Sequence, residues 1–256
     1  MRKRFGQHFL ADPHYVARIV AAIDPQPDDL LVEIGPGAAA ITAPLLERVA
    51  RVHAVEIDRD LCAALADRFP AERLVVHNAD ALEFDFAAVG PRLRLVGNLP
   101  YNISTPLLFR FAAVADRLRD GHFMLQKEVV DRMVAGPSTA AYGRLSVMLQ
   151  HRFAMTRLFD VPPGAFRPPP QVRSAVVRLE PLSLPPLGPA ADDAFARVVL
   201  AGFTKRRKTL RNALAGVADV AMLEEAGVAP QARAENLAVA DYRRLAAVIA
   251  ARGGTR

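Results

Sequence analysis

Four short apolar runs, each ending on a glycine turn or a polar side chain and each followed by a helical pattern, constrain this chain more than any other feature. The runs are residues 30–34, 51–57, 73–77 and 93–96. Between them, Ile41, Leu45, Leu46 and Val49 fall on one helical face, and so do Leu61 and Leu65. Strand–helix alternation of this kind predicts a parallel sheet with right-handed crossovers. Two later runs, 122–125 and 174–179, read as further strands, and a sheet of about seven is expected. The expected class is α/β, Rossmann-like, with a small C-terminal helical domain.

Proline punctuates the chain at 161–171 and again at 181–189. The second stretch separates the strand-like run 174–179 from an Ala/Leu/Arg-rich helical tail broken near 227–230. It therefore reads as a linker. The expected division is 1–180 as a ligand-binding catalytic domain, 181–190 as linker and 191–256 as a helical domain.

Composition narrows the setting. Apolar residues make up 52% of the 256, enough for a packed core, and no uncharged run approaches the length of a membrane span. The N-terminal Arg2, Lys3 and Arg4 are not followed by an apolar segment or a small-residue cleavage site, so no secretory signal is expected. One cysteine, Cys62, permits neither a disulfide framework nor a thiolate metal cage. A reduced cytoplasmic location and no metal are the expectations. The net charge of +6 suits a polyanionic partner.

In open α/β sheets ligands bind beyond the carboxyl ends of the strands. The first run ends in Glu33-Ile34-Gly35-Pro36-Gly37, the second in Glu56, the third in Asp80 and the fourth in Asn98. Gly35 and Gly37 allow a tight turn and close backbone approach. Glu56, about 20 residues on, stands where an acid accepts hydrogen bonds from two ribose hydroxyls. Asp80 either accepts from an adenine amino group or caps a helix. A dinucleotide fits less well, because its fingerprint needs a third glycine where this chain has Ala38, Ala39 and Ala40.

Asn98-Leu99-Pro100-Tyr101 carries the chemistry. An exocyclic amine such as adenine N6 is a poor nucleophile, its lone pair delocalised into the ring. The Asn98 side-chain carbonyl and the Leu99 backbone carbonyl can accept its two N–H bonds and stabilise the positive charge that grows during attack. Pro100 fixes the turn, and Tyr101 offers a face for a base.

These residues belong to a longer likeness. Residues 3–10, 33–37, 98–106, 122–130, 142–146, 162–174 and 203–212 together make the chain resemble the small-subunit ribosomal RNA adenine dimethyltransferases, nearly end to end. The resemblance implies an S-adenosylmethionine-dependent methyltransferase sheet and dimethylation of N6 on two neighbouring adenines near the 3′ end of 16S rRNA, in the 30S subunit or its precursor. It implies cofactor contacts at His8, Leu10, Gly35, Glu56, Asp80 and Asn98, with Gly37 in the same turn. Many relatives carry Asn where this chain has His8. Phe166 is expected across the target base from Tyr101. Arg2, Lys3, Arg4, Lys205, Arg206, Arg207, Lys208 and Arg211 are expected to meet phosphates. No membrane partner is expected, and a monomer is the default. A large-subunit adenine methylase and a ribosome-assembly factor acting mainly by binding are the competing readings.

Overall fold

A computed structural model of the protein describes residues 8–185 and 187–253. The chain divides into two compact units, the first running to Val130 and resuming over Phe153–Pro181, the second holding Asp131–Arg152 and the chain from Leu182.

The first unit opens with a short strand, β1 (Phe9–Leu10), and helix α1 (Pro13–Ile23). Asp12 caps α1 by accepting from the His14 N–H at 2.9 Å, and Pro13 occupies its first turn. Then come β2 (Leu31–Ile34), α2 (Thr42–Leu46), β3 (Val52–Glu56), α3 (Arg59–Arg68), β4 (Leu74–Asn78), β5 (Leu93–Asn98), α4 (Ser104–Ala113) and β6 (Leu118–Gln126). Helix α5 (Lys127–Met133) follows, and α6 (Arg144–Gln150) lies in the second unit. Strands β7 (Phe153–Val161), β8 (Phe166–Arg167) and β9 (Ser174–Pro181) complete the first unit.

The main sheet has the order β4-β3-β2-β5-β6-β9-β7, parallel from β4 to β6 and antiparallel over β9 and β7. The expected count of about seven strands is met, but β9 runs against the others and β7, antiparallel to β9, returns to their direction. Strand β7 escaped the sequence reading because it is an edge strand whose register shifts between Arg157 and Phe159, which interrupts strict alternation. Strands β1 and β8 form a separate two-stranded ladder, Leu10 opposite Phe166.

The alternating core positions explain the sheet. Every residue of β2 is buried, as a central strand covered on both faces requires. Ile41, Leu45, Leu46 and Val49 are all buried in the same apolar cluster, although only Thr42–Leu46 is helical; Pro44 is in that short helix. Leu61 and Leu65 are buried from α3, whose N-cap Asp58 accepts from the Asp60 and Leu61 N–H groups.

The second unit has its own core, built on α7 (Pro189–Thr204), α8 (Leu210–Ala213), α9 (Val220–Glu225) and α10 (Val239–Gly253). Its fully buried Tyr142 and Tyr242 donate to the carbonyls of Leu237 and Ala234 at 2.8 and 2.7 Å. The expected continuous 1–180 domain is corrected here. Tyr142 and Val147 belong to this helical core, so 131–152 is an excursion from one unit into the other. Such exchange between distant stretches leaves no composition signal.

Beside β2, strand β5 carries Gly97, where an added Cβ would collide with the Ile34 carbonyl oxygen. Gly97→Ala is expected to destabilise the protein by roughly 1–3 kcal/mol through overpacking against backbone, read as a lower urea midpoint at unchanged slope. An unchanged midpoint would show that the two strands can part at this point without cost.

Candidate cofactor and active site

Strands β3 and β4 lie to one side of β2, and β5 and β6 to the other, so the crevice at the carboxyl ends of β2 and β5 is the switch point of the sheet. A cavity of about 430 Å³ opens there, within the roughly 300–1,000 Å³ common for small-molecule sites. His8, Leu10, Gly35, Gly37, Glu56, Asp80, Asn98, Leu99 and Tyr101, named from sequence, all line it.

The turn after β2 depends on its glycines. Gly35 and Gly37 adopt φ of +64° and +54°, in the left-handed region. A Cβ on Gly37 would also stand 2.9 Å from the Phe9 ring, so β1 packs directly on the turn. At the end of β3, Glu56 accepts from the Asp58 N–H at 3.0 Å and from the Gly37 N–H at 3.3 Å, which fixes its carboxylate at the cavity wall. Burial still pushes its pKa upward against those hydrogen bonds. Asp80 caps the turn after β4 and also stands at the cavity. One oxygen accepts from the Leu82 N–H at 2.8 Å as a turn cap, and the residue lines the cavity.

The Asn98 amide is oriented by its neighbour. Its Nδ2 donates to the His8 carbonyl at 3.1 Å. A carbonyl can only accept, so the nitrogen must face it and Oδ1 is left as the acceptor on the other side. The His8 contact with Asn98 is thus made by backbone. Its ring is engaged elsewhere, Nδ1 donating to the Pro168 carbonyl at 2.8 Å. Tyr101 stacks loosely on that ring, centroids 6.0 Å apart, and its phenol meets Ser174 Oγ at 2.7 Å.

Phe166 is corrected. Its side chain is fully buried in the core cluster with Leu10 and is absent from the cavity wall. A phenylalanine in a proline-rich loop carries the same sequence signal whether it faces a ligand or a core.

Two site residues were not assigned from sequence. Glu33 lines the cavity, is 2% exposed, and has an Oε2 with no hydrogen-bond partner; burial above all, with the Glu56 charge adding, pushes its pKa up to about 7. Ile57 is a half-exposed apolar wall residue next to Glu56. The acid ahead of the glycines was the available signal for Glu33.

Three carboxylates and no Lys or Arg line the described cavity. A pyrophosphate would be repelled, whereas a nucleoside bearing ammonium and sulfonium charge is complemented. A buried carboxyl with one unpartnered oxygen, a glycine cradle and an acid fixed at the cavity wall fit S-adenosylmethionine. Among the described residues no cluster could hold a metal, and no helix is long and apolar enough to cross a membrane.

A Rossmann-like sheet with this cleft, and Asn-Leu-Pro-Tyr at its edge, defines an S-adenosylmethionine-dependent methyltransferase. The chain matches the ribosomal RNA adenine dimethylase family over residues 1–251 and belongs to it. It is 58% identical over 252 residues to ribosomal RNA small subunit methyltransferase A of Thiobacillus denitrificans, covering 98% of each chain. The protein of that name from Aromatoleum aromaticum is 57% identical, with 98% of this chain and 95% of the other covered. Among solved structures, a dimethyladenosine transferase from Plasmodium falciparum superposes with a TM-score of 0.82 at 26% identity, over 93% of this chain and 96% of that one. The 23S rRNA methyltransferase ErmE gives 0.72 at 26%, over 94% and 99%.

Glu33 generates a pH prediction. Its folded pKa of about 7 lies above its ordinary 4.5, so the ligand-free fold loses stability as pH rises between those values. Glu33→Gln is expected to unfold at higher urea than the parent at pH 8, by up to about 3 kcal/mol, with little difference at pH 4.5. An equal difference at both pH values would count against a buried, strained carboxyl.

Proposed function

We propose that this protein uses S-adenosylmethionine to dimethylate N6 of two adjacent adenines near the 3′ end of small-subunit rRNA, acting on the 30S subunit or its precursor as a cytoplasmic monomer. The observation that carries the reaction is the oriented Asn98 amide, whose Oδ1 faces away from the His8 carbonyl that holds its nitrogen. The names of relatives 57–58% identical over almost the whole chain support the substrate.

When bound, S-adenosylmethionine supplies an already activated methyl group, and the protein's work is alignment, exclusion of water and charge stabilisation. Glu56 would hold the ribose hydroxyls, Asp80 the adenine amino group and Glu33 the ammonium. Asn98 Oδ1 and the Leu99 carbonyl accept the two N–H bonds of the target amine. They draw its lone pair out of conjugation and stabilise the cation as it forms. Tyr101 supplies one stacking face, worth roughly 1–3 kcal/mol per base. No general base is assigned, because the alkylated cationic amine is itself acidic. The Tyr101 face is the base platform, and nothing is assigned to Phe166.

Phosphate contacts fall to the second unit. Lys205, Arg207, Lys208 and Arg211 are exposed, and none makes an ion pair among the described residues. Arg206 differs. Its guanidinium is bound to Glu235 at 2.7 Å and to the Ala140 carbonyl at 3.1 Å, which makes it a brace between loops. Arg2, Lys3 and Arg4 lie outside the described residues.

Labelled methyl transfer to unmethylated 30S subunits, with nucleoside analysis of the digested RNA, tests the proposal. N6,N6-dimethyladenosine is the expected product. Label appearing in 50S subunits instead would favour the large-subunit activity named for ErmE. Asn98→Ala is expected to fold, bind cofactor weakly and lose roughly 10²–10³-fold in methyl transfer; full activity would sink the assigned mechanism. Removing Arg207, Lys208 or Arg211 singly should lower the salt slope of RNA binding by about one each, and removing Arg206 by less. Equal slopes for all four would reassign Arg206 to phosphate.

A further inference from the structure

The phenol of Tyr101 does not end in the cavity. It meets the hydroxyl of Ser174 at 2.7 Å, and Ser174 is fully buried and outside the cavity wall. Ser174 begins β9 and is held from both sides, opposite Gln126 of β6 and Val161 of β7. Its backbone is therefore fixed between strands on both sides, and the hydroxyl hangs from it by a single rotatable bond. Tyr101 sits in the turn after β5 and has no strand to hold it. The His8 ring lies along the same tyrosine, and His8 Nδ1 is tied to Pro168, at the far end of the loop that Ser174 closes. Both ends of the segment 168–174 thus grip side chains at the cavity, His8 at one end and Tyr101 at the other.

We propose that Ser174 is a positioning residue for methyl transfer, its sheet-anchored hydroxyl holding the Tyr101 phenol so that the ring stands as a fixed platform for the target base. This rests on the adenine-N6 reading above. A tyrosine hinged only at its Cβ sweeps its far edge through ångströms as χ1 and χ2 vary, and in-line displacement tolerates little of that. A hydrogen bond at the ring's far end removes this freedom without placing any group against the base. It also agrees with the phenol's environment: burial raises its pKa and the Ser174 hydroxyl draws it back. The residue is a site of precision, not affinity, so its loss should appear in the rate of transfer.

The test compares Ser174→Ala, Tyr101→Phe and the double variant on unmethylated 30S subunits, with S-adenosylmethionine binding measured by calorimetry. Ser174→Ala is expected to lower kcat on the order of 10- to 100-fold, with KM for subunits and cofactor affinity within about twofold of the parent. Tyr101→Phe keeps the ring, cuts the same bond from the other side and leaves β9 untouched, so it should match. The double variant should lose no more than either single one. The chain has four tyrosines, and in protein labelled with ¹³C at the phenol carbon the Tyr101 signal is the one missing from Tyr101→Phe. That signal alone should shift in Ser174→Ala. A kcat within twofold of the parent in either single variant overturns the proposal. So do losses that multiply in the double variant, or a fall in cofactor affinity matching the fall in kcat. Should the parent itself be inactive on 30S subunits, the substrate reading has failed. The clamp is then judged by the Tyr101 resonance, and an unmoved signal overturns it.

Discussion

The pairing of β2 with β5 is the constraint on which the rest of the molecule depends. These two strands are adjacent in the sheet but separated in sequence by β3 and β4, and their contact at Gly97 is so close that no side chain fits between that residue and Ile34. Where their crossovers diverge, the crevice must open. The glycine turn leaves β2 and Asn98 leaves β5 at that one edge, so the glycine cradle and the amide proposed to accept from the amine are neighbours by topology. Moving either strand would separate binding from chemistry.

The edge is completed by segments far away in the chain. β1 brings Phe9 onto Gly37 and the His8 carbonyl onto the Asn98 amide, while β8 and the proline-rich loop hold β1 and His8 in place. One short ladder thereby ties the residues before α1 to those after β7. The contact of residue 8 with Asn98 is made by a backbone carbonyl and so does not depend on its side chain. The imidazole adds two interactions of its own, with Pro168 and Tyr101. An asparagine in its place would have no ring to lay against Tyr101.

The cleft is electrostatically one-sided, and that has a cost. Glu33 and Glu56 are both nearly buried, and burial pushes both pKa values up. In the absence of a cationic ligand an unpaired carboxyl here destabilises the fold. The cost is consistent with a site whose ligand brings the missing positive charge. It also separates this cleft from dinucleotide sites of the same topology, where a fold-level likeness says nothing about charge.

Much of this was legible in the sequence, and for local reasons. Strand–helix alternation, glycines needing positive φ and polar residues at strand ends are set by near neighbours, so the parallel strands and seven of the nine cavity residues could be placed by counting along the chain, while His8 and Leu10 came only through the family resemblance. The buried and the long-range could not. The burial of Phe166, the pairing of Arg206 with Glu235 and the unit that claims 131–152 each depend on partners 29 or more residues away. The reversal of β9, the hydroxyl that meets Tyr101 and the raised pKa of Glu33 belong to the same class. Sequence by itself determined the kind of sheet, the edge at which a nucleoside binds and the motif that acts there. Only the tertiary structure decided which side chains reach that edge and in what electrostatic state, because burial and hydrogen-bond partnership come into being when distant segments meet.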